Sequence, residues 1–112
     1  MEIVTLAEAP AYDPDRVVAA ALLDGDQSNV RVIRLSAGQA LPPHTHGASD
    51  LMLYVVEGEG TLDTDTDGAV SFAAGSVAYL RGEEELRVAN RSQKGLTMLA
   101  FLSPPFPPRP AS

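Results

Sequence analysis

The sequence predicts an all-β domain built as an antiparallel sandwich or barrel. Short runs rich in Val, Leu and Ile recur along the chain, and Gly, Pro and Asp residues separate them. No long segment repeats its apolar residues with the period of a helix. Short strands at regular spacing, with turn residues between them, are typical of sandwiches and barrels. The runs predicted to be strands are 17–23, 30–35, 51–57, 69–72, 76–80, 85–90 and 96–102.

Two of these strands also indicate which side chains face the core. Within 85–90, Leu86 and Val88 share one face of an extended chain, and less apolar residues occupy the other. Within 51–55 both faces are apolar, which predicts a strand that is covered on both sides. The Gly-Glu-Gly sequence at 58–60 predicts a turn.

The two ends of the chain differ from this pattern. Residues 3–6 predict an edge strand, and a loop follows it. The last ten residues, SPPFPPRPAS, contain five prolines and cannot form a strand ladder. We expect this tail to pack on its own domain or to fray, and the alternative is a polyproline ligand for an SH3-like module.

Length and charge limit the domain organisation and the partners. A chain of 112 residues suits one domain, 1–112, with a core at about 17–103 and the Pro-rich tail at 103–112. A net charge of −7 argues against binding to nucleic acid or to an anionic membrane, since both select basic surfaces. No apolar stretch is long enough to span a membrane and no signal peptide is evident, so we expect a cytoplasmic protein. The lack of cysteine excludes disulfides and thiolate ligands.

An acidic stretch, Asp63-Thr-Asp65-Thr-Asp67-Gly68, matches the opening of a calcium-binding loop. Such a loop closes with a bidentate Glu several residues after its Gly, and that position is Ala74 here. The flanking runs predict strands, whereas a calcium loop of this kind joins two helices. We therefore interpret the stretch as the tip of a hairpin.

The chain has two histidines, His44 and His46, directly after Pro42-Pro43. On an extended segment, side chains two residues apart lie on the same face. Two imidazoles on one face can chelate a divalent transition metal, but two ligands alone hold a metal weakly. By themselves, these residues are more simply interpreted as exposed loop histidines.

The spacing around the histidines resembles that of a known family. The first cupin motif is G(X)5HXH(X)3-4E(X)6G, and the second is G(X)5PXG(X)2H(X)3N. The positions that match them are Gly38, His44, His46, Gly58, Gly75 and Asn90. Over about 30–105 the chain therefore resembles a small single-domain cupin. The resemblance implies a double-stranded β-helix, that is, a jelly-roll barrel, and a homodimer, which is a frequent state in the family.

The chain departs from both motifs at the positions that bind metal in similar cupins. Leu51 stands at the position of the first-motif Glu, and Leu86 at that of the second-motif His. The second motif also has Arg81 in place of its Pro and Glu83 in place of its second Gly. If this alignment holds, the two leucines point into the barrel beside the histidines. The predicted pocket residues are His44, His46, Leu51, Leu53, Leu86 and Val88.

These departures favour a cupin that binds a small molecule in an apolar barrel pocket without a complete metal site. The alternative is a metal-dependent enzyme of the dioxygenase or isomerase type, in which His44, His46 and a substitute ligand such as Asp50 hold Fe, Mn, Ni, Cu or Zn. The acidic residues 83–85 could also reach the mouth of the barrel, although a solvated loop is the simpler interpretation. A third possibility is a barrel filled by its own side chains.

Overall fold

The chain folds almost entirely into β-strands in a computed structural model that describes residues 1–64 and 67–108. These residues contain eight strands and one short 3₁₀ turn at Leu6–Glu8. The strands are β1 Val18–Asp24, β2 Asn29–Leu35, β3 Asp50–Glu57, β4 Glu59–Thr64, β5 Gly68–Ala73, β6 Val77–Leu80, β7 Val88–Ala89 and β8 Leu96–Ser103. Within the same ranges, no helix has the length and apolar character needed to cross a membrane.

The strands form two antiparallel sheets around one core. The larger sheet has the order β1-β2-β8-β3-β6, and the smaller has the order β5-β4-β7. Side chains from both sheets form one buried cluster, which includes Leu53 of β3, Leu62 of β4 and Met98 of β8. The prediction of an all-β fold with two packed antiparallel sheets is confirmed.

Alternate residues of β3 face opposite sides of the larger sheet. Leu51, Leu53 and Val55 are fully buried on the inner face, whereas Met52 on the outer face is 45% exposed. The prediction that this strand is covered on both sides is wrong for a single chain. Its outer neighbours in the pairing register, Tyr79 on β6 and Phe101 on β8, are exposed as well.

Strand β4 was not predicted, because Gly58 and Gly60 together resemble a turn. Gly58 does make a tight turn, with φ of 88°, and a Cβ atom there would collide with the carbonyl oxygen of Gly95. Gly60 instead lies within β4, where a Cβ would approach the side chains of Leu96 and Phe72 to 2.9 Å. The second glycine is therefore required by close packing and not by a turn.

The N-terminal segment is not the edge strand predicted at residues 3–6. It forms the 3₁₀ turn at Leu6–Glu8, in which the Glu8 amide donates to the Thr5 carbonyl at 3.0 Å. The Thr5 amide in turn donates to the Glu8 carboxylate at 3.3 Å. Such a local hydrogen bond, from a backbone amide to a side chain three residues away, competes with strand pairing. This competition explains why the predicted strand does not form.

Side chains attach the residues after this turn to the outer face of the larger sheet. Arg34 of β2 donates to the Pro10 carbonyl at 2.7 Å. The Tyr12 hydroxyl donates to the Glu57 carboxylate at 2.8 Å and also contacts Thr97. The segment thus covers one end of the outer face without adding a strand.

The region of the second motif is mostly irregular. The predicted strand at 85–90 is reduced to β7, and Leu86 forms an isolated bridge with His44. Asn90 is buried, and its side-chain amide donates to the carbonyls of Leu35 at 2.9 Å and Lys94 at 2.7 Å. Asn90 therefore fixes the chain where it leaves β7.

The Pro-rich tail returns to the domain as far as residue 108. The Asn29 side chain donates to the Phe106 carbonyl at 2.8 Å and accepts from the Phe106 amide at 3.0 Å. The Ser49 hydroxyl donates to the Pro104 carbonyl at 2.6 Å. These bonds hold the partly buried Phe106 against the hydrophobic core, and residues 109–112 lie outside the described residues.

The acidic stretch forms the connection between β4 and β5. The Thr64 hydroxyl accepts from the Asp67 amide at 2.9 Å and donates to the Gly68 carbonyl at 3.0 Å. Asp65 lies outside the described residues, so the calcium interpretation is not tested at that position. The described part is a hairpin connection between antiparallel strands, as predicted.

Candidate functional site

A cavity of about 160 Å³ lies between the inner face of β1, β2 and β8 and the segment that carries the two histidines. Its lining residues are Ala19, Arg31, Ile33, Leu41, His44, His46, Leu86, Ala100, Leu102, Phe106 and Pro107. Most of this wall is apolar, and its polar side chains are one arginine and two histidines. That composition is typical of small-molecule sites, which orient a ligand with a few polar groups in an apolar pocket.

Backbone hydrogen bonds hold the histidine segment against the second motif. The Leu86 amide donates to the His44 carbonyl at 2.8 Å, and the His46 amide donates to the Gly82 carbonyl at 2.8 Å. The approach is so close that a Cβ atom at position 82 would collide with the Gly47 carbonyl oxygen. Gly82 is thus a positioning residue for the histidines, a role that a single sequence does not reveal.

His46 is the most deeply placed polar group of the cavity. It is 3% exposed, and its Nδ1 has no hydrogen-bond partner among the described residues. Its ring packs edge-to-face on Phe106, with ring centroids 5.1 Å apart. Burial, together with the nearby His44 ring, lowers the pKa of His46 to about 4. At neutral pH this imidazole is therefore uncharged.

His44 lies at the edge of the same cavity and is partly exposed. Its ring centroid is 4.6 Å from that of His46. Nδ1 of His44 is 2.9 Å from the Pro42 carbonyl oxygen, which can only accept a hydrogen bond. Nδ1 therefore carries the proton, and the lone pair of the neutral ring is on Nε2.

The residues around the histidines do not fit the metal site of similar cupins. Leu51 and Leu86 are 0% and 1% exposed, so hydrocarbon occupies both positions where a carboxylate and an imidazole would be needed. Asp50 lies on the outer face of the larger sheet, where it accepts from the Tyr79 hydroxyl at 3.0 Å. Within 1–64 and 67–108, no group of three or more His, Cys, Asp or Glu residues could hold a metal ion.

The acidic residues near Arg81 do not complete the ligand set either. Glu83 forms an ion pair with Arg81 at 3.3 Å, and Glu85 pairs with Arg87 at 2.6 Å. All of these side chains are substantially exposed. They line a different and larger depression of the surface, together with Asp63.

Most of the other predicted pocket residues lie in the hydrophobic core and do not line the cavity. Leu51, Leu53 and Val88 are buried in the core cluster, and of the four predicted apolar residues Leu86 is the one that lines the cavity. Arg31 and Phe106 line it but were not predicted. Arg31 could have been found from the alternation of β2, because it shares the inward face with Ile33 and Leu35. Phe106 could not, because its position depends on the return of the tail.

Comparison with known proteins agrees with this arrangement of strands. Residues 31–102 match the Cupin domain family, which is more than half of the chain. The chain belongs to the cupin family. No curated protein matches it.

Solved structures share the cupin fold over nearly the whole chain. An RmlC-like cupin from Desulfovibrio desulfuricans is 26% identical, with 95% of this chain and 99% of that chain covered and a TM-score of 0.81. A protein from Thermus thermophilus is 25% identical, covering 94% and 99% of the two chains, with a TM-score of 0.83. An uncharacterised double-stranded β-helix protein from Klebsiella pneumoniae is 17% identical, covering 93% and 90%, with a TM-score of 0.84. The predicted jelly-roll barrel is confirmed.

Proposed function

We propose that this cupin binds a small organic molecule in the cavity beneath His44 and His46, without a resident metal ion. The observation that carries the proposal is the buried Nδ1 of His46, which has no hydrogen-bond partner among the described residues. Buried polar atoms in folded proteins are nearly always paired, and leaving one unpaired costs about 1–3 kcal/mol. A ligand with a hydrogen-bonding group would supply the missing partner.

The cavity wall supports a ligand that is mainly apolar. Ile33, Leu86, Leu102 and Phe106 present hydrocarbon to the same space as the two imidazoles. His46 is neutral at physiological pH and can accept or donate one hydrogen bond without requiring a counter-charge. The volume of 160 Å³ corresponds to about five water-sized groups, so the ligand is small.

A thermal-shift screen of small metabolite-like molecules tests this proposal. We expect compounds that raise the melting temperature of the wild type but not that of His46→Phe, which fills the space and removes the polar atom. Arg91→Gln, at an exposed position that does not line the cavity, is the control and should respond to the same compounds as the wild type. The absence of any stabilising compound across a broad library would favour a barrel that serves only as a folded scaffold.

The alternative function is a metal-dependent enzyme that uses the same two histidines. It is favoured by the 4.6 Å separation of the rings and by the Nδ1 contact of His44, which leaves Nε2 free to bind a cation. Two imidazoles would leave most coordination positions of a divalent Fe, Mn, Ni, Cu or Zn ion to water or substrate, and such a site releases its metal readily.

Elemental analysis of untagged protein separates the two functions. We expect less than about one-tenth of a metal ion per chain after dialysis, because two ligands bind weakly. Near-stoichiometric metal in the wild type that is lost in His44→Ala would overturn the metal-free proposal.

A further inference from the structure

We propose that Arg31 anchors the ligand of this cavity, and that the ligand class is a small carboxylic acid with an apolar body. The inference rests on the proposed function, because it identifies the chemistry of the molecule that the cavity takes. It is carried by the position of Arg31 in the cavity wall and by the charges that surround it.

Arg31 faces the cavity because of its place in β2. It shares the inner face with Ile33, and both residues line the cavity together with the histidines. Its partners in the pairing register are Ala21 on β1 and Ala100 on β8. Small side chains on both sides leave space for the long arginine side chain beside the cavity.

The Arg31 guanidinium forms no hydrogen bond or ion pair with any residue in the described part of the chain. Three other arginines are satisfied by the protein: Arg16 by Asp13, Arg34 by Pro10 and Arg81 by Glu83. Arg31 is half-buried, so water does not fully replace a missing partner. An arginine without an anionic partner in a cavity wall is a ready site for a carboxylate, which it binds through two parallel hydrogen bonds.

The charge of the cavity is opposite to that of the chain. The protein has 15 acidic and 8 basic residues, yet no Asp or Glu of the described residues lines this cavity. The neighbouring surface depression, in contrast, is lined by several acidic residues, including Asp63 and Glu83. A ligand that enters beside Arg31 therefore meets one permanent positive charge and no repelling carboxylate.

The same features favour a carboxylate over a phosphate. Arg31 supplies one positive charge, and the imidazole of His46 in the same cavity is too deeply buried to supply a second. A phosphate dianion would remain partly uncompensated in such a site, whereas a carboxylate would be neutralised. The hydrocarbon of Ile33, Leu86 and Phe106 would pack on the apolar part of the acid.

Titrations followed by ¹H–¹⁵N NMR test the inference with a matched pair of probes. Isobutyrate carries the carboxylate, and isobutyramide is its uncharged analogue of nearly the same shape. In the wild type we expect isobutyrate to shift the amide signals of Leu86 and Ala100 and to bind about tenfold more tightly than isobutyramide. Arg31→Gln should remove this preference, and Arg31→Lys should retain part of it.

Arg91→Gln is the matched control, because it removes the same charge at an exposed position that does not line the cavity. It should leave the binding of both probes unchanged. Thermal unfolding of each variant verifies that the fold is intact, and Arg31→Lys provides the test if Arg31→Gln does not fold.

The results of these titrations show whether the role of Arg31 fails alone or together with the proposed apolar pocket. If isobutyramide binds in the cavity as tightly as isobutyrate, or if Arg31→Gln binds isobutyrate like the wild type, the role of Arg31 is overturned and the apolar pocket stands. If neither probe shifts the cavity signals at 50-fold excess or more, both proposals fail. Tighter binding of inorganic phosphate than of isobutyrate would overturn the carboxylate class.

Discussion

Both faces of the larger sheet carry large apolar side chains, but the inner face is buried and part of the outer face is exposed. On β3, Leu51, Leu53 and Val55 point inward and are fully buried, whereas Met52 between them points outward and is 45% exposed. Phe101 pairs with Met52 across the sheet and is exposed to the same extent. An apolar residue at a strand position therefore does not reveal whether it faces the core of its own chain. Substitutions on each face measure how far the two faces differ in what they contribute to stability and association.

The largest difference is expected in the free energy of unfolding when each face of β3 is truncated. Leu53→Ala should lower it by about 2–5 kcal/mol, because the substitution leaves a cavity in a closely packed core. Met52→Ala should lower it by less than about 1 kcal/mol, since much of that side chain is already in water. Urea unfolding at neutral pH measures both values, and equal losses would contradict the assignment of inner and outer faces.

His46 should make the inner face sensitive to pH. Its pKa is about 4 in the folded protein against an ordinary value of 6.5, so between these values the unfolded chain binds more protons. The free energy of unfolding should therefore fall as the pH is lowered from about 6.5 to 4, by at most about 3 kcal/mol from this residue. Above pH 6.5 its contribution should be constant.

His44 is the titratable group whose charge acts on the pKa of His46, and Arg31 lines the same cavity. Urea unfolding of the wild type and of His46→Phe across this pH range isolates the effect, because titrating carboxylates contribute to both proteins. His44→Gln should retain most of the dependence. Parallel curves for the wild type and His46→Phe would show that burial does not depress this pKa.

A smaller effect is expected where the N-terminal segment lies on the outer face. Tyr12→Phe removes the hydrogen bond to Glu57 and the contact with Thr97, and should lower the free energy of unfolding by about 0.5–1.5 kcal/mol. Tyr79→Phe removes a bond to Asp50 at an exposed site and should change it by less than about 0.5 kcal/mol. A larger loss of unfolding free energy in Tyr79→Phe than in Tyr12→Phe would contradict this expectation. It would show that the exposed hydrogen bond stabilises the outer face more than the bonds of the N-terminal segment.

The smallest effect on folding is expected from charge placed on the exposed outer residues, although association should change. We expect a homodimer that covers Met52 and Phe101, so Met52→Lys should be monomeric in sedimentation analysis with its unfolding free energy altered by less than about 0.5 kcal/mol at low concentration. Val70→Lys, at a 40% exposed position of the smaller sheet, is the control and should remain dimeric. A wild type that stays monomeric at high concentration would contradict this expectation.

Most of the fold could be predicted from the sequence, because strand alternation and turn residues are local signals. The spacing of Gly38, His44 and His46 identified the family, and the buried positions of Leu51 and Leu86 agree with the predicted alignment of the motifs. Strand β4 was missed because Gly60 serves packing against residues distant in sequence.

The cavity itself was less predictable, because it depends on contacts between distant segments. Arg31 precedes the motif histidines by more than ten residues, and Phe106 reaches them through bonds from the tail to Asn29. Asp50 was considered as a ligand since it adjoins the expected Glu position, but strand pleating directs it to the opposite face, toward Tyr79. Such long-range placement is not encoded in the spacing of one motif.

Asn90 and Leu86 belong to the same second motif but contribute differently to the structure. Asn90 holds the chain through bonds to Leu35 and Lys94, so its loss would damage folding itself. Leu86 stands where similar cupins carry an imidazole, and the barrel closes around hydrocarbon there without a break in the core. The architecture therefore does not depend on a metal ligand at position 86, and similarity to the motif reports the fold more directly than the activity.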